Sequence, residues 1–390
     1  MIYELGDICN FYNGGAWSDK EYVENGLPVL KVTNCKLDGF VLEGIDYLPV
    51  ESAVKYAKNK LQIGDVVIAT VGSHPNLVNS AAGRSCIVNS SVEGFYLNQN
   101  AVCIRSKDSS IIDQIYLGYL LKSRSFQHYI QMSGRGAANQ MRIAISAIKS
   151  YEFDLPPLQV QQQIASILSA YDDLIENNQK QIRLLEEAAQ RLYKEWFVDL
   201  HFPGYEKTEI LDGVPAGWVR GTLADVALFK RGKTITKAQV HEGCVPVVAG
   251  GLEPAYFHDR ANTSAPVVTV SASGANAGFA RLYNVDIFAS DCSYADNNTT
   301  AYLYFVYCFI KNNKKRFDAL QKGAAQPHVY AKDINALPLI VPHKNVLKMF
   351  CCGVSLYFDK IKILDEQIRW LSEARDRLLP KLMSGEIVSG

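Results

Sequence analysis

Residues 181–192 read QIRLLEEAAQRL, and residues 367–378 read QIRWLSEARDRL. The two segments share Gln-Ile-Arg, Glu-Ala and Arg-Leu in the same order, and each shared residue recurs 186 positions later in the chain. A repeat of this length indicates a duplicated domain whose two copies have related roles. The rest of the sequence is therefore interpreted as two copies of one unit.

The repeat extends beyond these two segments with small changes of register. Gly136-Ala137-Ala138 recurs as Gly323-Ala324-Ala325 at an offset of 187, and Leu155-Pro156-Pro157 faces Ile340-Val341-Pro342 at an offset of 185. Single-residue shifts of this kind are typical of loop insertions. A chain of 390 residues also exceeds one ordinary domain of roughly 100–200 residues. The sequence thus predicts two globular modules, each followed by a long helix.

Each copy begins with sequence that is typical of β-strands. Residues 64–73 and 265–274 are rich in β-branched side chains and are bounded by Gly and Pro, which predicts strands joined by loops. A shorter helical stretch follows in each copy, from Ile115 to Met132 and from Tyr302 to Gln321. Both modules are therefore predicted to be α+β, with the strands dominant.

The segment from Val160 to Phe197 contains neither Gly nor Pro, which predicts one helix roughly 57 Å long. Its apolar residues are spaced alternately by four and three positions, and this heptad spacing predicts the seam of a coiled coil. The first seam consists of Ile164, Leu168, Tyr171, Ile175, Asn178, Ile182, Leu185, Ala189, Leu192 and Trp196. The same seam returns 186 residues later as Phe350, Val354, Tyr357, Ile361, Leu364, Ile368, Leu371, Arg375, Leu378 and Leu382.

These two seams are expected to bury one another, because each fully buried Leu or Ile contributes roughly 1.5–3 kcal/mol relative to water. An antiparallel pair would place the modules at opposite ends of a rod with an approximate two-fold axis. Asn178 and Arg375, the polar seam residues, are expected to fix the register, and Pro380 is expected to end or kink the second helix near its tail. The alternative is two ordinary amphipathic helices, each packed on its own module.

Composition limits the class of protein. The formal net charge is zero, so any contact with nucleic acid must come from local basic patches rather than from bulk charge. Nine cysteines without a Cys-x-x-Cys pair or zinc-type spacing predict reduced, mostly buried thiols. No apolar run approaches the roughly 20 residues of a transmembrane helix, and the N-terminal residues lack the features of a secretion signal. A cytoplasmic protein is expected.

Four segments carry a family resemblance. Residues 187–200 with Phe202-Pro203-Gly204, and residues 378–387, resemble the spacers of the specificity subunits of type I restriction-modification enzymes. Leu155-Pro156-Pro157-Leu158 with residues 161–164 resembles the family's entry into the first spacer, and residues 212–218 resemble its entry into the second module. The resemblance spans the chain in the order module, helix, module, helix.

The resemblance implies target recognition domains at residues 1–157 and 202–342, a central spacer helix at 158–201 and a C-terminal spacer helix at 343–390. Each domain would recognise one half of a gapped, asymmetric DNA site, and the helices would set the gap. Two methyltransferase subunits using S-adenosylmethionine would dock on the helices, and motor-nuclease subunits would complete the complex. Readers fixed on one face of a duplex contact it about one helical turn, ~34 Å, or a multiple apart.

Residues for DNA contact can be proposed from side-chain chemistry. Phosphates require Lys or Arg, while Arg pairs with guanine and Asn or Gln with adenine, most readily from Gly-rich loops. The basic candidates are Lys122, Arg124, Arg135, Arg142, Lys311, Lys314, Lys315, Arg316 and Lys322. The loop candidates are Asn139, Gln140, Gln326 and His328, with Ser73, His74, Asn76, Ser273 and Asn276 as weaker ones. The alternative for these loops is plain helix capping by Asn and Gln.

Two other classes of protein remain open. A DNA methyltransferase with its own recognition domains would need an Asn/Asp-Pro-Pro-aromatic loop, but residues 154–158 have an inserted Leu and no aromatic residue, and residues 273–278 make a poor cofactor-binding Gly motif. Asp286, Asp291 and Asp296 are dispersed without a basic partner, unlike a nuclease site. A coiled-coil scaffold with protein-docking modules is the third class. No catalytic residue, metal site or cofactor is predicted in this chain.

Overall fold

The computed structural model describes residues 2–36, 39–42, 44–72, 82–137, 140–323 and 327–387. The chain divides into two compact units, of which unit 1 comprises residues 1–177 and 367–390 and unit 2 comprises residues 178–366. Each unit contains one module together with part of each long helix. The division therefore cuts both long helices near their middle.

Unit 1 contains the first module, the first half of one long helix and the last part of the other. Its strands are β1 (Ile2–Glu4), β2 (Cys9–Asn13), β3 (Leu27–Leu30), β4 (Cys35–Lys36), β5 (Gly39–Phe40), β6 (Asp46–Leu48), β7 (Val66–Ala69), β8 (Val71–Gly72), β9 (Ser85–Ile87), β10 (Tyr96–Leu97), β11 (Ala101–Ser106), β12 (Arg135–Ala137), β13 (Gln140–Arg142) and β14 (Glu152–Asp154). The helices of this part of the chain are α1 (Leu5–Ile8), α2 (Gln114–Lys122), α3 (Arg124–Ser133), α4 (Ile145–Lys149) and the long α5 (Leu158–Phe197).

Unit 2 contains the second module. Its strands are β15 (Ile210–Leu211), β16 (Val214–Pro215), β17 (Val219–Thr222), β18 (Lys230–Arg231), β19 (Val245–Val248), β20 (Tyr256–His258), β21 (Val267–Ser271), β22 (Ala280–Tyr283), β23 (Phe288–Ala289), β24 (Cys292–Asp296) and β25 (Pro338–Val341). The helices of this part of the chain are α6 (Leu303–Asn312), α7 (Lys314–Asp318), α8 (Ala331–Asn335) and the long α9 (Lys344–Met383).

The two modules share one sheet topology. The central sheet has the order β2-β11-β7-β9 in the first module and β18-β24-β21-β22 in the second. A smaller sheet has the order β10-β3-β6 in the first and β20-β19-β23 in the second, and each contains one parallel pairing. The last strand of each module also pairs with a strand near its start, β14 with β1 and β25 with β17. The predicted duplication of an α+β module is therefore confirmed.

The shorter helical stretches are each divided in two by a local break. In the first module Ser123 ends α2 and its hydroxyl accepts a hydrogen bond from Phe126 N, which caps α3. In the second module Asn313 separates α6 from α7. A side chain that satisfies the first free N–H groups of a helix favours a new start at that point, as Ser123 does for α3. Asn313 makes no such bond to α7; its side chain donates to Phe309 O at the end of α6. The helical stretches predicted from Ile115 and from Tyr302 are each a pair of helices.

The long helices pack antiparallel, as each unit shows separately. In unit 1, Ile164 and Leu168 near the start of α5 share a core with Leu382 near the end of α9. In unit 2, the ring of Phe197 at the end of α5 lies 5.0 Å from the ring of Phe350 near the start of α9. The predicted antiparallel helices are therefore confirmed. Helix α9 runs through Pro380 and ends at Met383.

Every predicted seam residue is buried or half-buried, but the helices bury a second face as well. Tyr193 on α5, and Leu347 and Phe358 on α9, lie outside the heptad seam and are 4%, 2% and 1% exposed. These residues belong to a core that also contains α6 and the central sheet of the second module. Each helix thus packs both on the other helix and on a module, so both interpretations of the heptad pattern hold together.

The cysteines agree with the sequence prediction. Cys244 and Cys352 are exposed, the other seven are buried, and all nine are free thiols. Burial raises the pKa of the Cys9 and Cys292 thiols to about 12, so these sulfurs are poor nucleophiles near neutral pH. Within the described residues, no helix is both long enough and apolar enough to cross a membrane.

Candidate nucleic-acid interface

Strands β12, β13 and β8 form a three-stranded sheet in the first module, and this sheet carries the candidates Arg135, Gln140 and Arg142. Strands β12 and β13 form a hairpin in which Arg135 faces Arg142. Strand β13 then pairs with β8, with Arg142 opposite Val71. Strand β8 follows β7 of the central sheet directly in the chain, so the hairpin is paired with a strand next to that sheet. The exposed side chain of Arg142 lies on this hairpin.

The second module repeats this arrangement with single bridges. Lys322 and His328 bond to each other through both backbone groups, at 2.9 and 2.8 Å, and His328 also bridges Ser273. Gly274 N donates to Pro327 O at 3.1 Å. The candidates Ser273, Lys322 and His328 of the second module are therefore neighbours, in the position that the hairpin and β8 occupy in the first.

Some of the predicted residues fall outside this description. Ser73, His74, Asn76, Asn139 and Gln326 lie outside the described residues. Arg135 and Gln140 are placed by their backbone only, as the paired strands above. Their side-chain roles therefore stay predictions.

The basic cluster of the second module is largely engaged within unit 2. Lys314 pairs with Asp318 at 3.1 Å and Lys322 pairs with Asp333 at 2.9 Å. Arg316 donates to Asn313 Oδ1 and to Pro338 O. Lys311 Nζ lies 5.5 Å from the centre of the Phe279 ring, and Lys315 is exposed. Exposed pairs of this kind are weak, so these side chains could exchange their partners for phosphates.

In the first module, Lys122 and Arg124 lie on either side of the break at Ser123. Lys122 Nζ is 5.8 Å from the centre of the Tyr119 ring, and its charge acts on Asp172 of α5. Arg124 is exposed at the start of α3. Lys122 is thus directed to the junction between the module and α5, and Arg124 is the freer of the two to meet solvent.

Sequence interpretation missed Arg231 beside the second candidate surface, and it was wrong to expect that Asp291 lacks a basic partner. The guanidinium of Arg231 on β18 forms an ion pair with Asp291, and the Ser273 hydroxyl donates to the same carboxylate. The Arg231 side chain is about half exposed. An arginine held in one orientation by a carboxylate is well suited to the paired acceptors of guanine. No sequence signal joins Arg231 to Asp291, because sixty residues separate them.

The same surface in the second module is held by small polar contacts. Asn276 Nδ2 donates to Gly250 O at 3.3 Å, and the Ser271 hydroxyl donates to the same carbonyl at 3.2 Å. Gln321 Nε2 donates to Ala277 O at 2.8 Å, which joins the end of the α7 region to the loop after β21. The loop that carries Ser273 and Asn276 is therefore fixed from two sides.

Comparison with known proteins identifies the family of this chain. The sequence model of the type I restriction modification DNA specificity domain matches residues 1–187 and 215–362. The chain belongs to this family. One domain of the family covers each module and extends into the long helix that follows it, as the internal repeat predicts.

Two specificity subunits are similar to this chain in sequence over most of its length. The type I restriction enzyme MjaIX specificity subunit of Methanocaldococcus jannaschii is 28% identical over 316 residues, which are 74% of this chain and 72% of that protein. The putative type I restriction enzyme MjaX specificity subunit of the same organism is 24% identical over 407 residues, with 99% and 93% covered.

A solved structure supports the specificity-domain fold. The S subunit of a type I restriction-modification system from M. genitalium superimposes with a TM-score of 0.56 at 18% sequence identity, and the match covers 98% of this chain and 95% of that chain. At this level of identity the likeness shows a common fold. The order module, long helix, module, long helix is therefore shared with a crystallised S subunit.

Proposed function

We propose that this chain is the DNA-recognition subunit of a type I restriction-modification complex and that each module recognises one half of a gapped DNA site. The observation that carries the proposal is the duplication of one DNA specificity domain. Candidate residues lie at matching strand edges of the two modules, Arg142 in the first and His328 with Ser273 in the second. Two such modules in one chain can differ in sequence, so we expect two different half-sites and an asymmetric site.

In this proposal the long helices set the number of unrecognised base pairs between the half-sites. Inserting one heptad into each helix, after Asn177 and after Glu366, preserves the contacts inside both units and lengthens each helix by about 10 Å. We expect a longer gap between unchanged half-sites. Sequencing the DNA bound by the inserted protein measures both properties.

We further propose that catalysis belongs to partner chains. Two methyltransferase subunits would dock on the long helices and would use S-adenosylmethionine, and motor-nuclease subunits would complete the restriction complex. Relatives named as specificity subunits of restriction enzymes support this division of labour. The exposed apolar side chains of Leu356 and Ile363 on α9 offer contact area for a protein partner.

The decisive experiment is selection from a pool of random duplexes by gel shift, with the purified chain alone and with a methyltransferase partner. A bipartite consensus in the bound pool is the expected result, and its affinity should fall steeply with salt because phosphate contacts release counterions. Binding with no sequence preference in both samples would overturn the proposal. Methyl transfer by the isolated chain would instead favour an enzyme with its own recognition domains.

A further inference from the structure

A buried polar cluster joins three helices within unit 1. Arg375 Nη1 of α9 lies 2.6 Å from Asp172 Oδ1 of α5, and the Tyr119 hydroxyl of α2 donates to Asp172 Oδ2 at 2.7 Å. Arg375 also contacts the carboxylate of its neighbour Asp376 at 2.8 Å. The Arg375 side chain is only 8% exposed. One carboxylate thus holds together the module, the first helix and the second helix.

The charges of this cluster depend on one another. Burial opposes ionisation of Asp172, but the charges of Lys122 and Arg375, with hydrogen bonds from Arg375 and Tyr119, hold the pKa of this carboxyl below its ordinary value. Burial and the nearby Asp172 charge together raise the pKa of the Tyr119 hydroxyl, which stays protonated as the donor. A buried ion pair of this kind is strongly destabilised when one member is lost.

The internal repeat identifies the matching positions in unit 2. Adding the offset of 186 to position 172 gives Phe358, and subtracting it from position 375 gives Ala189. Phe358 is 1% exposed and its ring stacks on Tyr304 with centroids 4.5 Å apart, while Ala189 is fully buried in the same core. The place that is ionic in unit 1 is therefore apolar in unit 2.

This difference separates correct from incorrect helix pairing. If unit 1 accepted the end of α5 from a second copy of the chain, Ala189 would replace Arg375 and the Asp172 carboxylate would lose its guanidinium. The apolar seam residues of the two helix ends make little of this distinction. Three of them are identical in both helices and only Trp196, which matches Leu382, differs; the identical pairs are Ile182 with Ile368, Leu185 with Leu371 and Leu192 with Leu378. Opposite charges at one buried position, by contrast, are an established means of selecting a helix partner.

We propose that the Asp172–Arg375 ion pair makes unit 1 accept the end of the chain's own second long helix and reject the corresponding end of the first long helix from another copy. The pair contributes selectivity rather than net stability, because well-packed apolar residues can replace a buried ion pair at little or no cost. The chain thereby keeps two different modules on one pair of helices, and two identical first modules are kept from pairing.

Full-length chimeras test this selectivity inside the intact chain. In the first chimera, residues 181–197 replace residues 367–383, so that unit 1 is offered the end of α5 with Ala at position 375. A second chimera is identical but retains Arg375. A third carries the first transplant together with Tyr119→Phe and Asp172→Leu, which make the acceptor apolar. Amide hydrogen exchange over residues 367–383 measures docking of the helix end in each protein.

We expect the first chimera to lose at least about tenfold of the wild-type protection over residues 367–383, a change worth about 1.4 kcal/mol. Retaining Arg375 should restore most of the protection, and the apolar acceptor should restore it without any arginine. Exchange over residues 344–361 of unit 2 is the internal control and should stay unchanged. Wild-type protection in the first chimera, or no recovery in the second, would overturn the proposal.

Discussion

In unit 1 the module contacts Asp172 of the first long helix through a hydroxyl, whereas in unit 2 the matching residue Phe358 stacks on an aromatic ring. A hydroxyl of the second module also reaches a long helix, since Tyr307 donates to Glu186 of α5 at 3.0 Å, but Glu186 is not at the position that matches Asp172. Tyr119 donates to Asp172 in the first case. In the second case Tyr304 stacks on Phe358, and Tyr307 packs edge-on against the same ring at 5.9 Å. Both junctions are well filled, so the fold requires a packed junction and tolerates two chemistries.

The two junctions have different physical roles. Burial of apolar surface stabilises a fold without distinguishing between partners of similar shape, and the burial of Phe358 and Ala189 in unit 2 is of this kind. Burial of a charge is unfavourable unless an opposite charge pairs with it. The Asp172 carboxylate of unit 1 therefore favours a helix end that supplies Arg375 over one that does not. Duplicated domains can thus diverge in chemistry at a position whose geometry is kept.

The largest expected effect is the loss of the aromatic junction. Phe358→Ala should destabilise unit 2 by about 3–5 kcal/mol, because it removes a fully buried ring and leaves a cavity. Hydrogen exchange in urea, followed separately for residues 178–366 and for the remainder, measures the change. Leu356→Ala on the same helix is the control, since that side chain is 72% exposed, and it should stay within about 0.5 kcal/mol. A similar loss in both variants would contradict the assignment.

Removal of the carboxylate from the ionic junction should have a smaller effect, confined to unit 1. Asp172→Ala is expected to destabilise this unit by about 1.5–3 kcal/mol, the range for hydrogen bonds to charged groups, because Arg375 keeps Asp376 as a partner. The matched control is Asp376→Ala, whose side chain is 60% exposed and whose removal should cost at most about 1 kcal/mol. If the control costs more than Asp172→Ala, the order of importance within the cluster is reversed.

The two modules should also be separable in DNA recognition. Arg231→Ala should relax base preference in one half-site, and Arg142→Ala should relax it in the other half-site, each by about 1–3 kcal/mol at the affected position. Sequencing of selected duplexes measures both half-sites in one experiment. Lys194→Ala serves as the control, because this exposed lysine pairs with Asp199 on the helix. A change in both half-sites from a single substitution would show that the modules do not act independently.

The β-branched segments predicted the α+β modules, and the repeat with its heptads predicted their duplication and the long helices. The first long helix begins at Leu158 and ends at Phe197. The segment without Gly or Pro predicted 160–197, and the family resemblance implied a spacer helix at 158–201, so each prediction matches one end of the helix. Such patterns are local, because the spacing that predicts a helix seam or a strand lies within one short segment of the chain. The offset of 186 added a second, independent copy of each signal. Architecture was therefore accessible from the sequence.

The functional contacts were accessible only in part. Arg375 was recognised as a charged seam residue, but its partner Asp172 lies off the seam and 203 residues away, so no spacing rule connects them. Arg231 with Asp291 is a similar case. The burial of Phe358 and Tyr193 was not predicted, because the heptad pattern describes one face of a helix. These two residues lie on a second face, which packs on the module. Pairings across the fold require coordinates.

The smallest expected effect is the pH dependence of the stability that Asp172 contributes to unit 1. The pKa of Asp172 is lowered in the folded protein, so its ionised form contributes stability above the ordinary carboxyl value near 3.8, and that contribution is lost as the pH falls through the lower folded value. The difference in unfolding free energy between wild type and Asp172→Asn should therefore be constant from about pH 7 to about pH 5 and should shrink only in stronger acid. Urea unfolding of unit 1 at several pH values measures it. A difference that already declines between pH 7 and pH 5 would mean that burial outweighs the charges of Lys122 and Arg375 and raises the pKa of Asp172.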